Sequence, residues 1–76
     1  MNLNTLTTIS SVLREFSGPY ECKLEGEGKV FKVNFDIRYK AQAFAIMLKE
    51  ELAKRGLLSK VTCRRVNRYQ VNITEH

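Results

Sequence analysis

Apolar residues recur at helical spacing in two stretches of the chain. In the first stretch they lie three or four positions apart, at Leu6, Ile9, Leu13 and Phe16. This stretch follows Asn4 and Thr5, either of which can cap free backbone N–H groups, and it precedes Gly18-Pro19. The pattern therefore predicts a first helix from Thr5 to Ser17.

The second stretch has one apolar face and many residues that favour a helix. That face consists of Ala41, Phe44, Ala45, Leu48 and Leu52. Gly56 suits the left-handed position after a helix, and Leu57 can pack back on Leu52 as in a Schellman cap. We therefore expect a helix from Ala41 to Gly56, in which Lys54 and Arg55 stabilise the negative helix end.

Apolar and polar residues alternate in four further segments, which predicts strands. The first starts at Tyr20 and enters a turn at Glu25 to Gly28, and the second contains Phe31, Val33, Phe35 and Ile37 on one side. The third and fourth are Lys60 to Arg65 and Tyr69 to Thr74. Consecutive strands are close enough in sequence to form two antiparallel hairpins.

Loop lengths predict the register of both hairpins. A loop from Glu25 to Gly28 pairs Cys22 with Phe31 and Tyr20 with Val33. In the second hairpin, a two-residue loop at Asn67-Arg68 would place Arg64 among core residues. A three-residue loop from Val66 to Arg68 instead pairs Cys63 with Val71 and Val61 with Ile73, and we choose it.

The resulting order is αββαββ, which predicts one α+β domain over residues 1–76. The simplest architecture is a four-stranded antiparallel sheet with two helices packed on one face. A chain of 76 residues has no room for a second core. One face of the sheet should therefore remain open to solvent.

The chain is basic, with a formal net charge of +5 at pH 7. Such a charge favours polyanions, acidic protein surfaces or anionic membranes at close range. It can also serve only to keep a small protein soluble. The charge alone leaves these alternatives open.

The outward strand positions carry side chains suited to nucleic-acid recognition. Arg and Lys bond phosphates and guanine edges, and Asn and Gln bond adenine edges. Lys60, Arg64, Arg65 and Arg68 gather around the second hairpin, where several close cations would raise phosphate affinity together. The predicted nucleic-acid-binding residues are Lys32, Arg38, Lys60, Thr62, Arg64, Arg65, Arg68, Gln70 and Asn72. The alternative is that these are ordinary residues of a solvated sheet face.

Aromatic residues bear on the kind of nucleic acid. Stacking on single strands needs exposed rings. The alternation places Tyr20 and Tyr69 on the core face together with the phenylalanines, and leaves only Tyr39 free. A duplex is therefore favoured over a single strand.

Residues for catalysis or metal binding are scarce. His76 is the single histidine and is expected to be frayed, and Glu25 and Glu27 fit a solvated turn. Cys22 and Cys63 are expected to be two buried thiols. We therefore predict no enzyme, no metal and no cofactor. No stretch approaches the length of an apolar membrane span, so we expect a cytoplasmic protein without membrane contact.

Three parts of the chain carry a family resemblance: Lys29 to Ile37, the helix Ala41 to Gly56, and Asn67 to Ile73. With the αββαββ order they resemble one half of a LAGLIDADG homing endonuclease. In that family the first helix ends in a metal-binding acid and packs on its counterpart through small residues. Here Ser10 and Ser11 are small, but Phe16 stands near the place of the acid, and Glu15 projects to another side. The resemblance implies at most a non-cutting DNA-binding protein that can form a symmetric dimer.

Two functional hypotheses follow from the sequence. The first is a small non-catalytic regulatory or accessory protein that binds duplex DNA or RNA with the polar sheet face, mainly the second hairpin. The alternative is a protein-interaction module, such as a small phage-type or host regulator. That module would dock an acidic partner or pair through an edge strand.

Overall fold

A computed structural model describes all residues, 1–76, and contains two helices and four strands in the order αββαββ. The elements are α1 (Leu3–Leu13), β1 (Tyr20–Glu25), β2 (Val30–Phe35), α2 (Arg38–Lys54), β3 (Val61–Arg65) and β4 (Gln70–Glu75). All strand pairs are antiparallel, and the strand order is β1-β2-β4-β3. Helix α2 packs on the apolar face of this sheet, and α1 packs on α2 and adds its buried residues to the same core. The predicted α+β fold is therefore confirmed.

The first helix begins earlier than predicted. The side-chain oxygen of Asn2 accepts a hydrogen bond from the backbone N–H of Asn4 at 2.7 Å. Asn2 is therefore the N-cap, and the predicted choice of Asn4 or Thr5 was wrong. Thr5 is instead a buried residue within the helix.

The first helix also ends before the predicted Ser17. Beyond Leu13 the chain turns, and the backbone N–H of Phe16 donates to the carbonyl of Leu13 at 3.0 Å. This turn brings the Phe16 ring to 5.6 Å from Phe35 and 5.9 Å from Phe44, measured between ring centres. Aromatic packing, rather than a longer helix, decides where Phe16 lies.

The second helix ends as predicted, in a Schellman cap. The backbone N–H of Leu57 donates to the carbonyl of Leu52 at 2.9 Å, and Gly56 has a φ of 69°. Arg55 adds a contact that the sequence did not indicate, because its guanidinium donates to the Thr8 hydroxyl at 3.1 Å. This hydrogen bond joins the end of α2 to α1.

The first hairpin has a register two residues away from the predicted one. Cys22 pairs with Val33 rather than Phe31, and Glu25 pairs with Val30. The loop therefore runs from 26 to 29, and the carbonyl of Glu25 accepts the backbone N–H of Lys29 at 3.1 Å. Gly26, Glu27 and Gly28 have positive φ values, which is why the turn forms there. Tyr20 accordingly lies opposite Phe35, not Val33.

The second hairpin has the predicted loop length but again a register shifted by two residues. Cys63 pairs with Ile73 rather than Val71, and Val61 pairs with Glu75 rather than Ile73. The side chain of Asn67 accepts the backbone N–H groups of Tyr69 at 2.9 Å and Gln70 at 3.0 Å. This turn makes Asn67 the first loop residue, not the second. A shift of two keeps every side chain on its predicted face.

The core lies between the helices and the strands β2, β3 and β4. Its largest fully buried apolar side chains are Phe44, Ile9, Leu48, Leu52, Ile73, Val33, Val61 and Val71. Helix α2 contacts those three strands, whereas β1 contacts only β2. Because no helix covers β1, its inward-facing residues Tyr20, Cys22 and Leu24 are exposed. The predicted burial of Tyr20 and Cys22 was therefore wrong.

Candidate nucleic-acid interface

One row of side chains crosses the open face of the sheet on all four strands. It consists of Lys23 on β1, Lys32 on β2, Asn72 on β4 and Arg64 on β3. Neighbouring strands lie about 4.8 Å apart, so these side chains are lateral neighbours. We call this set the central row. It contains three of the cations and one of the amides on this face.

A second amide side chain, that of Gln70, lies next to the central row on β4, the strand that carries Asn72. The side-chain N–H of Gln70 donates to the side-chain oxygen of Asn72 at 2.9 Å. This contact leaves an acceptor on Gln70 and a donor on Asn72 for another group. Thr62 and Thr74 pair on the other side of the central row. Asn72 therefore has side chains that can donate or accept hydrogen bonds on both sides of it along the sheet, Gln70 on one side and the two threonines on the other.

The cations on β1 and β2 are paired with a carboxylate. Glu25 lies 2.6 Å from the Lys32 ammonium and 3.4 Å from the Lys23 ammonium, measured between the charged atoms. Hydrogen bonding from Lys32, and next from Lys23, lowers the pKa of Glu25 below its usual value. Glu25 was predicted to be a solvated turn residue, but it is the last residue of β1 and reduces the positive charge of this half of the face.

The cations of the second hairpin have no such partner. Lys60, Arg64 and Arg68 are exposed and form no salt bridge. The outward positions of β3 and β4 carry Thr62, Arg64, Gln70, Asn72 and Thr74, so no acid lies among them. The positive charge of the open face is therefore concentrated on the β3–β4 side.

His76 contributes to the same side of the sheet. The Thr62 hydroxyl and the His76 ring form a hydrogen bond, and the His76 backbone N–H donates to the Lys60 carbonyl at 2.9 Å. The predicted frayed end was therefore wrong. These contacts place an imidazole beside Thr62 near the start of β3.

Lys60 lies just before β3 and Arg68 lies in the β3–β4 loop, and two other predicted binding residues are not on the open face at all. Arg65 is opposite Val71, a fully buried residue, so it belongs to the helix-covered face, and its guanidinium reaches the Asn67 carbonyl at 3.4 Å. Arg38 is the first residue of α2 rather than a strand residue. Alternation from Val61 and Cys63 already places Arg65 on the inward face, and Arg65 was included among the binding residues only for its charge. Arg38 was assigned to an outward strand position, but it lies beyond the end of β2.

No aromatic side chain lies on the open face. Tyr20 is on the opposite side, and Tyr39 is 73% exposed at the start of α2. Tyr69 was predicted to be in the core, but it lies in the β3–β4 loop and is 46% exposed. The open face therefore offers hydrogen bonds and charge, and no stacking platform.

The two thiols have different surroundings. Burial raises the pKa of Cys63 to about 11, while partial burial raises the pKa of the exposed Cys22. Cys63 points toward the Ala45 carbonyl at 3.9 Å. The structure brings together no group of three or more His, Cys, Asp or Glu side chains that could hold a metal ion.

Comparison of the chain with family models, with curated proteins and with solved structures gives no match. The resemblance to half of a LAGLIDADG homing endonuclease and the expected lack of enzymatic activity therefore stay predictions. Neither helix is long and apolar enough to cross a membrane.

Proposed function

We propose that this chain is a small regulatory or accessory protein that binds a nucleic-acid duplex with the open face of its sheet, mainly through β3 and β4. The observation that supports this proposal is the central row together with the acid-free β3–β4 half beside it. Arg64 and Arg68 bind phosphates, and Asn72 and Gln70 face base edges. The β3–β4 hairpin forms one edge of the sheet, and a two-stranded ribbon fits a major groove.

The charge distribution indicates which part of the open face contacts the duplex. Lys23 and Lys32 share a carboxylate, whereas Arg64 and Arg68 have none. Several unpaired cations close together repel one another, and a polyanion relieves that repulsion. We therefore expect the duplex to lie over β3 and β4, with Lys32 at the inner limit of the contact.

A salt titration tests the phosphate contacts. Affinity for a short DNA or RNA duplex should fall steeply between about 50 and 200 mM salt, because each neutralised phosphate releases counterions. Binding measured by fluorescence anisotropy gives the slope, and a single strand of the same length tests the preference for a duplex. An affinity that does not change over this range would show that no phosphate contacts are made.

Charge reversal then locates the contact. The double change Arg64→Glu, Arg68→Glu should abolish duplex binding without unfolding the domain. A matched control, Arg14→Glu with Lys49→Glu, changes the net charge equally on exposed residues of the helix layer. If the control reduced affinity as much as the sheet variant, binding would depend on net charge and not on the open face.

A second candidate function is a protein-interaction module, which an exposed apolar groove favours. This groove has a volume of about 440 Å³ and is lined by Phe16, Ile37, Tyr39 and Met47, among others. Ile37 is 50% exposed, and contiguous exposed apolar side chains often mark partner sites. A partner that is lost on Tyr39→Ala with Met47→Ala, and kept by the Arg64→Glu, Arg68→Glu variant, would support this function over duplex binding.

A further inference from the structure

The backbone hydrogen bonds of β2 define which groups of β1 are free. The N–H of Phe35 donates to the carbonyl of Tyr69 at 2.8 Å, and the N–H of Glu75 donates to the carbonyl of Lys29 at 2.8 Å. Odd-numbered residues of β2 therefore bond to β4. Alternate residues of an antiparallel strand bond to opposite sides, so the even-numbered residues of β2 bond to β1.

The outer edge of β1 consequently carries unpaired backbone groups on three residues. The partners of the even-numbered β2 residues are Glu21, Lys23 and Glu25. The N–H and C=O groups of the other three residues, Tyr20, Cys22 and Leu24, point away from the sheet. The side chains of the same three residues point to the side of the sheet on which the helices lie, but no helix reaches β1. Tyr20 is therefore 37% exposed and Leu24 is 49% exposed.

We propose that β1 pairs antiparallel with β1 of a second copy of this chain, in the register that places Cys22 opposite the partner's Cys22. In this register Tyr20 lies opposite the partner's Leu24, and Leu24 lies opposite the partner's Tyr20. All three free residues of each strand then meet free residues, which forms about six backbone hydrogen bonds. The two sheets become one continuous sheet of eight strands.

Charge complementarity selects this register. With Cys22 at the two-fold axis, Glu21 lies opposite the partner's Lys23, and Lys23 lies opposite the partner's Glu21. Opposite charges that face each other directly across two strands stabilise the pairing. On the other face the tyrosine and leucine side chains cover each other, so both faces of the junction are matched.

Other registers that keep the hydrogen-bond alternation are poorer. Pairing centred on Lys23 places two lysines face to face and Glu21 opposite the partner's Glu25. Pairing centred on Glu21 places two glutamates face to face. Like charges directly opposite are destabilising, and pairing centred on Leu24 engages fewer residues because Gly26 is already in the turn.

The other edge of the sheet lacks this complementarity. Strand β3 carries Arg64 and Arg65, with Lys60 just before it, and no acid. Two copies of β3 would therefore bring only cations together, and charged edges of this kind resist strand pairing. The structure thus has one edge that can pair with itself and one that cannot. The β1 pairing does not depend on the proposed duplex binding.

Charge exchange tests the register. Glu21→Lys places lysine opposite the partner's Lys23 twice and should raise the dimer dissociation constant about tenfold or more. Lys23→Glu should do the same, and the double change Glu21→Lys, Lys23→Glu should restore association. Sedimentation equilibrium measures association at concentrations up to about 1 mM, and circular dichroism checks that each variant is folded.

Cross-linking gives a second measurement on the unchanged protein. A bis-maleimide with a two-carbon linker should join the Cys22 thiols of the two copies, because they face each other at the axis. In the variant Cys22→Ser, Leu24→Cys the thiols lie roughly 13 Å apart along the strands and should not be joined. A protein that stays monomeric throughout, or equal cross-linking of both versions, would overturn the proposal, as would a double charge exchange that restores nothing.

Discussion

The two hairpins are built from the same alternation but end up in different surroundings. β3 and β4 are covered by α2, and their inward residues Cys63 and Ile73 are buried. β1 has no helix above it, and its inward residues Cys22 and Leu24 are exposed. The comparison shows that alternation determines which way a side chain points. Whether that side is covered depends on the strand order and on the position of the helices.

The largest difference between the hairpins should appear in stability. Ile73→Ala removes a fully buried side chain from β4 and should lower the free energy of unfolding by about 2 to 5 kcal/mol. Leu24→Ala removes a half-exposed side chain from β1 and should cost less than about 1 kcal/mol. Urea unfolding of dilute protein measures both. Equal decreases in the free energy of unfolding for the two variants would mean that the Leu24 side chain on β1 is covered in solution.

Thiol reactivity compares the same two surroundings without a mutation. At pH 8 a thiol with a pKa of about 11 is ionised in about one molecule in a thousand, and Cys63 is also buried. Iodoacetamide should therefore alkylate Cys22 at least about a hundredfold faster than Cys63 in dilute protein. Peptide mass spectrometry after timed quenching gives the two rates. Similar rates would contradict the burial of Cys63.

The raised pKa of Cys63 also predicts a dependence of stability on pH. The folded protein keeps the thiol proton up to a pH of about 11, whereas an unfolded thiol loses it near 9.0. The stability that the buried, protonated thiol contributes to the folded protein is therefore fully present below pH 9.0 and is lost as the pH rises through about 11. The loss should be weaker in Cys63→Ala than in the unchanged protein, as measured by urea unfolding at each pH.

A smaller difference is expected in nucleic-acid affinity between two members of the central row. Arg64→Ala should reduce the slope of log affinity against log salt by about 1, because it removes one phosphate contact. Lys23→Ala should change it little, since Glu25 already pairs with Lys23 and Lys32. Parallel salt titrations of the two variants compare them. A larger reduction of the slope in Lys23→Ala than in Arg64→Ala would show that the phosphate contacts are made by the first hairpin.

The smallest effect should come from making the first hairpin resemble the second. Glu25→Gln frees Lys23 and Lys32 from their carboxylate and should steepen the salt dependence of duplex binding by less than about 1 in slope. In the unchanged protein, the lowered pKa of Glu25 means that its pairing with the two lysines stabilises the fold above pH 4.5. This stabilisation is lost as the pH falls through the pKa that Glu25 has in the folded protein. A drop in affinity on Glu25→Gln would contradict the competition between Glu25 and phosphate.

Much of this architecture could be predicted from short-range patterns. Periodicity identified every element, and the Gly56 cap of α2 formed as its sequence indicated. Both hairpin registers were off by two residues, because loop length alone does not say which residues enter the turn. Glu25 remains in its strand since the two glycines and Glu27 take up the positive φ values, and Asn67 sets its own turn.

The candidate site was only partly predictable for a different reason. Alternation placed Lys32, Arg64, Gln70 and Asn72 on one face, but it gave no strand order. That Lys32 lies beside Asn72 depends on β2 pairing with β4, a contact between distant parts of the chain. The pairing of Glu25 with the lysines likewise depends on the true register, which the sequence did not provide.

The strand order also determines the sequence of events by which the chain can fold. The paired residues of β1 with β2, and of β3 with β4, lie close together along the chain, whereas Val30 pairs with Thr74 across 44 positions and Asn34 with Gln70 across 36. Closing a longer loop loses more chain entropy, so the helices and the separate hairpins can form before β2 meets β4. That late meeting is what places Lys32 beside Asn72. We therefore expect the central row to be absent from any partly folded state in which the two hairpins remain apart.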